Sequence, residues 1–260
     1  MFGKYAEMFK GEILYLYIWT GDRAKEAYER SEILNCNYIF AYATEFNLNQ
    51  RVIPIPDFLY DKWNEVGVSS YDDMVSQCEK SGYNEVLDKR CFWIGICNTN
   101  PLREKLMKIS NEVPEYLLVQ NMNWEKTKKG EFQRPKKYLS IPEHSQYGSL
   151  IDVRGKGYSA RLKLLFHLQR PIFIVERPDR EFYYSHMNPF EEYIPVKEDL
   201  SDLIMKLNWL KENPQAHNKI IKNQKRFAKK YLSKKFALQY LCDVVKKYGC
   251  KKHIIVHKNT

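Results

Sequence analysis

The sequence is poor in the features that mark several protein classes. Glycine and proline number only 11 each in 260 residues, too few for a collagen-like or low-complexity chain. The longest apolar runs, 13–19 and 171–175, fall far short of the roughly 18–20 residues that a membrane-spanning helix needs. Six cysteines (Cys36, Cys78, Cys91, Cys97, Cys242, Cys250) are scattered without a CxxC pair. They have neither the rhythm of a disulfide framework nor the spacing of a zinc site, so reduced thiols and no metal are expected. The first ten residues hold no uninterrupted apolar segment and no small-residue cleavage site. No secretion signal is therefore expected, and a cytoplasmic location is.

A net excess of positive charge is lacking from most of the chain and is concentrated at one end. The total is 42 basic against 32 acidic residues, and residues 211–260 carry 14 of the former and two of the latter. The first 210 residues therefore hold 28 basic and 30 acidic. A basic end can meet nucleic acid, an anionic membrane or a phosphorylated substrate, or it can simply be a solvated helix face. Nucleic acid is not expected, because no zinc-finger, helix-turn-helix or RNP-type motif is present. The aromatics of this region, Phe227, Tyr231, Phe236 and Tyr240, recur at helical spacing and read as core. A peripheral contact with an anionic membrane surface stays open.

What is present is a globular composition, 44% hydrophobic and 28% charged, and an alternation of strand-like and helix-like segments. Strands are expected over 12–20, 37–43, 91–97, 116–120, 149–153 and 171–176, with helices over 23–34, 71–80, 101–110, 159–169 and 200–212. A long or broken helix is expected over 214–248. Pro54 and Pro56 make 51–58 an extended connection or an edge segment. The lysine-rich stretch 123–137 reads as an exposed loop or hinge. This order predicts an α/β fold with parallel sheets covered on both faces, whose ligands bind beyond the carboxyl ends of the strands.

The most informative run is 149–163, S-L-I-D-V-R-G-K-G-Y-S-A-R-L-K. A strand ends near Arg154, Gly155 and Gly157 permit a tight turn, and Ser159 stands where a helix N-cap belongs. With Arg154, Arg161 and Lys163 around a helix start, the run predicts a diphosphate site that needs no metal. A glycine-flanked turn with no ligand is the competing reading.

That run, continued by R-P-I-F-I-V-E-R, E-F-Y-Y and P-F-E-E-Y-I-P-V-K-E-D-L-S-D-L, resembles the C-terminal half of glycosyltransferase family 90 over about 138–231. The resemblance implies two Rossmann-like lobes facing a cleft (GT-B-like), with a reduced N-terminal lobe. It divides the chain into an acceptor-side lobe (1–122), the hinge (123–137), a nucleotide-sugar lobe (138–235) and a C-terminal helix with a basic tail (236–260). It implies an inverting, metal-independent transfer of xylose or glucose from a UDP-sugar to a glycan, glycolipid or glycoprotein, with no further cofactor. Arg161 matches the arginine on the donor diphosphate, with Gly155, Gly157, Tyr158 and Ser159 in the loop around it. Glu181 matches an acidic residue that holds the ribose or sugar, or is a solvated carboxylate at a helix start. In W-I-G-I-C-N-T-N-P-L-R, Gly95, Thr99, Pro101 and Arg103 correspond to the family's segment, whereas its donor-contacting arginine falls near Asn98. The family's histidine before Tyr-Ile-Pro-Val is Glu192 here. The base expected to take the acceptor's proton is Asp22, after the first strand, with Asp57 and then Glu45 as alternatives. The alternative function is a non-catalytic basic module for an anionic polymer or membrane, derived from a transferase fold.

Overall fold

The computed structural model describes residues 16–122 and 138–249 and, between them, two short strands. Its larger sheet has five parallel strands. They are β4 (Asp88–Gly95), β5 (Leu117–Asn121), β8 (Tyr147–Asp152), β9 (Ile172–Val175) and β10 (Ile194–Val196), in the order β10-β9-β8-β4-β5. Burial on both faces explains why these strands read as continuous apolar runs. In β4, Phe92 and Ile94 enter a core shared with Leu150, Ile172 and Ile174, while Cys91 and Trp93 enter a second core with Ile151, Phe173 and Val175. Helices α2 (Tyr71–Ser81), α4 (Leu162–Leu165) and α7 (Lys234–Tyr248) supply the first core, and α3 (Pro101–Glu112) and α5 (Leu203–Glu212) the second. Helix α6 (Pro214–Tyr231) contributes to both, through Phe227 and Ala228 to the first and Ile220 to the second.

The smaller sheet is also parallel, with β1 (Ile18–Trp19), β2 (Ile39–Ala41) and β3 (Val52–Pro54) in that order. Helix α1 (Ala24–Ile33) covers one face through Ala27. The other face, Phe40 and Ile53, packs on Leu241, Val244 and Val245 of α7, and Tyr240 donates a hydrogen bond to the Pro54 carbonyl at 2.9 Å. The last helix thus belongs to the cores of both sheets. Pro54, which has no N–H to give to a further strand, lies on the edge strand as expected.

The expected helix over 159–169 is corrected to the single turn Leu162–Leu165. Its polar side chains are drawn into tertiary bonds instead. The Ser159 hydroxyl donates to the Asp152 carboxylate at 2.7 Å rather than capping a helix. Lys163 is wholly buried between two carboxylates. The break between α6 and α7 falls at Ser233, whose hydroxyl accepts from the Phe236 N–H at 3.2 Å. Of the expected hinge, only the antiparallel pair β6 (Glu125–Lys126) and β7 (Phe132–Gln133) is described. The tail beyond Gly249, with Lys251, Lys252 and Lys258, lies outside the described residues. Among the described residues no helix is long and apolar enough to cross a membrane.

Candidate functional site

In the five-stranded sheet the chain runs from β4 outward to β5 and then returns to β8 on the other side of β4. The carboxyl ends of β4 and β8 therefore flank a topological switch point, where open α/β sheets leave a crevice. A cleft of about 550 Å³ opens there. One side is Ile94–Ile96 with Arg103, and the loop after β8 contributes Gly155, Lys156, Tyr158, Ser159, Ala160 and Arg161. The lining also takes in Asp22, from the turn after β1, and Phe58, Trp63, Glu65 and Val66, from in and beside the 3₁₀ turns after β3.

Arg161 is fixed from three sides. Its guanidinium donates to the Ile94 carbonyl, lies 3.8 Å from Asp152 and sits 5.4 Å from the Trp93 ring centre. Its side chain keeps 19% of its surface exposed. Arg103 is the second guanidinium over Trp93, at 5.1 Å, and donates to the Arg154 carbonyl at 2.9 Å and to the Thr99 hydroxyl at 2.8 Å. Burial first, and then the neighbouring charge of Arg161, lowers the Arg103 pKa to about 10. Both remain cations at neutral pH. His144, edge-on to Phe92, lines the same cleft. Burial and then Arg161 lower it to about 3, so the ring is neutral.

Asp152 is the hub beneath the loop. It accepts from Ser159 and pairs with Arg177 at 2.7 Å each, and with Arg161 at longer range. Burial pushes its pKa up, but Arg177, Arg161 and Ser159 together bring it below its ordinary value. The glycine loop also touches the smaller sheet. A Cβ on Gly157 would come within 1.7 Å of the Asp22 carbonyl oxygen, so only glycine admits this approach.

The remaining expected residues lie elsewhere. Lys163 does not face the cleft: it bonds Asp57 at 2.9 Å and Glu181 at 2.8 Å, with none of its side chain exposed. Glu181 also accepts from the Tyr183 hydroxyl at 2.7 Å and is 3% exposed. Asp57, 1% exposed, caps the turn Phe58–Tyr60 by accepting from the Leu59 N–H. Neither carboxylate is among the residues lining the cleft. Arg154 pairs with Asp179 at 3.2 Å and Glu198 at 3.4 Å, and Thr99 braces Arg103. Asn98 lies in the 3₁₀ turn Cys97–Thr99, and Glu192 accepts from the Asn188 N–H at 2.8 Å. Glu45 is half-buried near Arg154 and Asp179, and burial and Asp179 raise its pKa. Among the described residues no group of three or more His, Cys, Asp or Glu side chains could hold a metal ion.

Sequence reasoning assigned no role to Asp152, Trp93 or His144. Asp152 was readable only as a residue within the strand expected over 149–153, and buried ring contacts leave no periodic trace. The family model for glycosyl transferase family 90 matches residues 16–259. Rat protein O-glucosyltransferase 1 is 31% identical over 132 residues, half of this chain and 34% of that protein. Zebrafish protein O-glucosyltransferase 2 is 24% identical over 235 residues, 90% of this chain and 46% of that protein. The chain thus matches about a third to a half of the length of these relatives. An uncharacterized protein of invertebrate iridescent virus 6 is 33% identical over 116 residues, 42% of this chain and 10% of that one. Among solved structures, Anabaena HepE in complex with UDP aligns at a TM-score of 0.49 and 9% identity, over 89% of this chain and 72% of that one. A glycosyltransferase from Rickettsia africae aligns at 0.45 and 9%, over 89% and 70%.

Proposed function

The chain belongs to glycosyltransferase family 90, and from that premise we propose that it transfers glucose or xylose from a UDP-sugar to a glycan, glycolipid or glycoprotein, with inversion and without a metal. One observation carries the reading. Asp22 and Arg161, from different sheets, line the same cleft at the switch point of the larger sheet. In this reading the smaller sheet is the core of the acceptor-side lobe, and the five-stranded sheet, which takes in β4 and β5 from the expected 1–122 lobe, is the core of the other. The cleft between them receives donor and acceptor.

The donor diphosphate lies against Arg161 and Arg103, with Lys156 and Ser159 beside it. Two braced guanidinium groups in a partly closed site stabilise the charge that gathers on the leaving diphosphate, and need little reorganisation as the reaction proceeds. An acceptor hydroxyl attacks the anomeric carbon from the opposite face. The new C–O bond forms as the bond to the diphosphate oxygen breaks, and the hydroxyl proton passes to the Asp22 carboxylate. The pairing of Asp57 with Lys163 supports Asp22 over that alternative.

Asp22→Asn tests the role assigned to the base. An amide keeps the shape but accepts no proton, so turnover of radiolabelled UDP-glucose or UDP-xylose is expected to fall on the order of 10²–10⁴-fold. UDP affinity should stay within about twofold, because the substitution touches the chemical step alone. Near-normal turnover by the variant would remove Asp22 from the mechanism.

A further inference from the structure

A second cavity, of about 580 Å³, opens beyond the carboxyl ends of β9 and β10 and shares none of its lining residues with the cleft. Two features distinguish it from an ordinary surface hollow. Arg177 and Tyr184, 5% and 8% exposed, line it. Each carries a buried polar atom, Nη1 and the phenol oxygen, without a hydrogen-bond partner among the described residues. Buried polar groups are rarely left so, and an unfilled pair beside one cavity points to a ligand that fills them. At the rim, Phe190 holds a left-handed backbone (φ 63°) with its ring 47% exposed. Non-glycine residues seldom adopt that conformation, and it is kept where the surroundings enforce it. Here Trp209 packs edge-on at 5.7 Å and the Lys206 ammonium lies 5.8 Å from the ring centre.

We propose that this cavity is a saccharide-binding site separate from the transfer cleft, in which a neutral sugar ring stacks on Phe190 while its hydroxyls accept from Arg177 and Tyr184. The charges at its wall favour a neutral ligand over an anion: Glu176 and Glu198 line it together with Arg177 and Arg180, and Arg177 is already paired with Asp152 at 2.7 Å. The two glutamates are also the acceptors that sugar hydroxyl protons require. An apolar ring with a few convergent polar groups is the usual make-up of a small-molecule site. Where the transferase reading holds, this site grips a unit of the acceptor glycan away from the point of transfer.

The test is an NMR titration of the full chain with cellobiose, xylobiose and glucuronate, each with and without UDP. At least one neutral disaccharide should bind, with an affinity that UDP does not alter. Tyr184→Phe should weaken that binding at least fivefold with no fall in Tm, since the lost hydroxyl has no protein partner. Phe190→Ala, at the rim, should weaken it comparably and serves as the second variant if the first fails to fold. The proposal is overturned if neither disaccharide binds, if both variants bind as the wild type does, if glucuronate binds more tightly than either disaccharide, or if Tyr184→Phe lowers Tm. Because binding is read without turnover, failure of UDP to bind would count against the transferase reading alone and leave the saccharide result intact.

Discussion

Glu181 and Asp57 share the single ammonium of Lys163 in a space closed to solvent. Burial raises the Glu181 pKa from 4.5 to about 7, with Lys163 opposing the shift and Asp57 adding to it. The sign of the consequence follows from which state holds the proton. Between pH 4.5 and 7 the folded carboxyl still holds a proton that the unfolded chain has released, so this group's contribution is complete below pH 4.5 and is lost as pH rises toward 7. Urea unfolding of wild type and Glu181→Gln across that range should show wild-type stability falling with pH relative to the variant. Parallel curves would mean that Glu181 titrates alike in the folded and the unfolded chain. The sequence placed Lys163 and Glu181 in motifs but could not show that they face inward, because a buried ion pair joins residues far apart in the chain.

At the scale of elements, the glycine loop after β8 packs directly on the turn after β1. Alanine at Gly157 would drive a methyl into the Asp22 carbonyl, and overpacking of this kind costs about 1–3 kcal/mol. Gly157→Ala should therefore lose stability of that order in urea and also lose turnover, since the turn bearing Asp22 has to move. Gly155→Ala is the milder control, because its Cβ meets only the end of the Arg103 side chain, at 3.4 Å. Equal stability of the two variants would show that the loop and the Asp22 turn are not in contact. Strands β4, β8 and β9 were legible in the sequence because each carries a short run of buried apolar residues, 91–94, 150–151 and 172–175. Helix α4 was not. Propensity extends it over 159–169, whereas the bonds of Ser159 and Lys163 stop it at one turn.

For the whole molecule, the parts that meet at the cleft come from widely separated stretches of chain: Asp22, 58–66, 94–103, 138–144 and 155–161. The glycine-loop side was legible, because a strand, two glycines and an arginine leave a local signature. The lining from Phe58, Trp63, Glu65 and Val66 was not, since the short 3₁₀ turns in and beside which it lies have no periodicity to read. The likeness of the chain to its family extends over 16–259, so both parts of the lining fall within the matched region. In the proposed reading this cleft binds a nucleoside diphosphate through Arg161. Isothermal calorimetry of UDP against wild type and Arg161→Ala tests it most directly. Saturable binding to the wild type is expected, with a loss of at least tenfold in the variant, about 1.4 kcal/mol or more, and the fold retained. Equal affinity in the two proteins, or no heat from either, would contradict it.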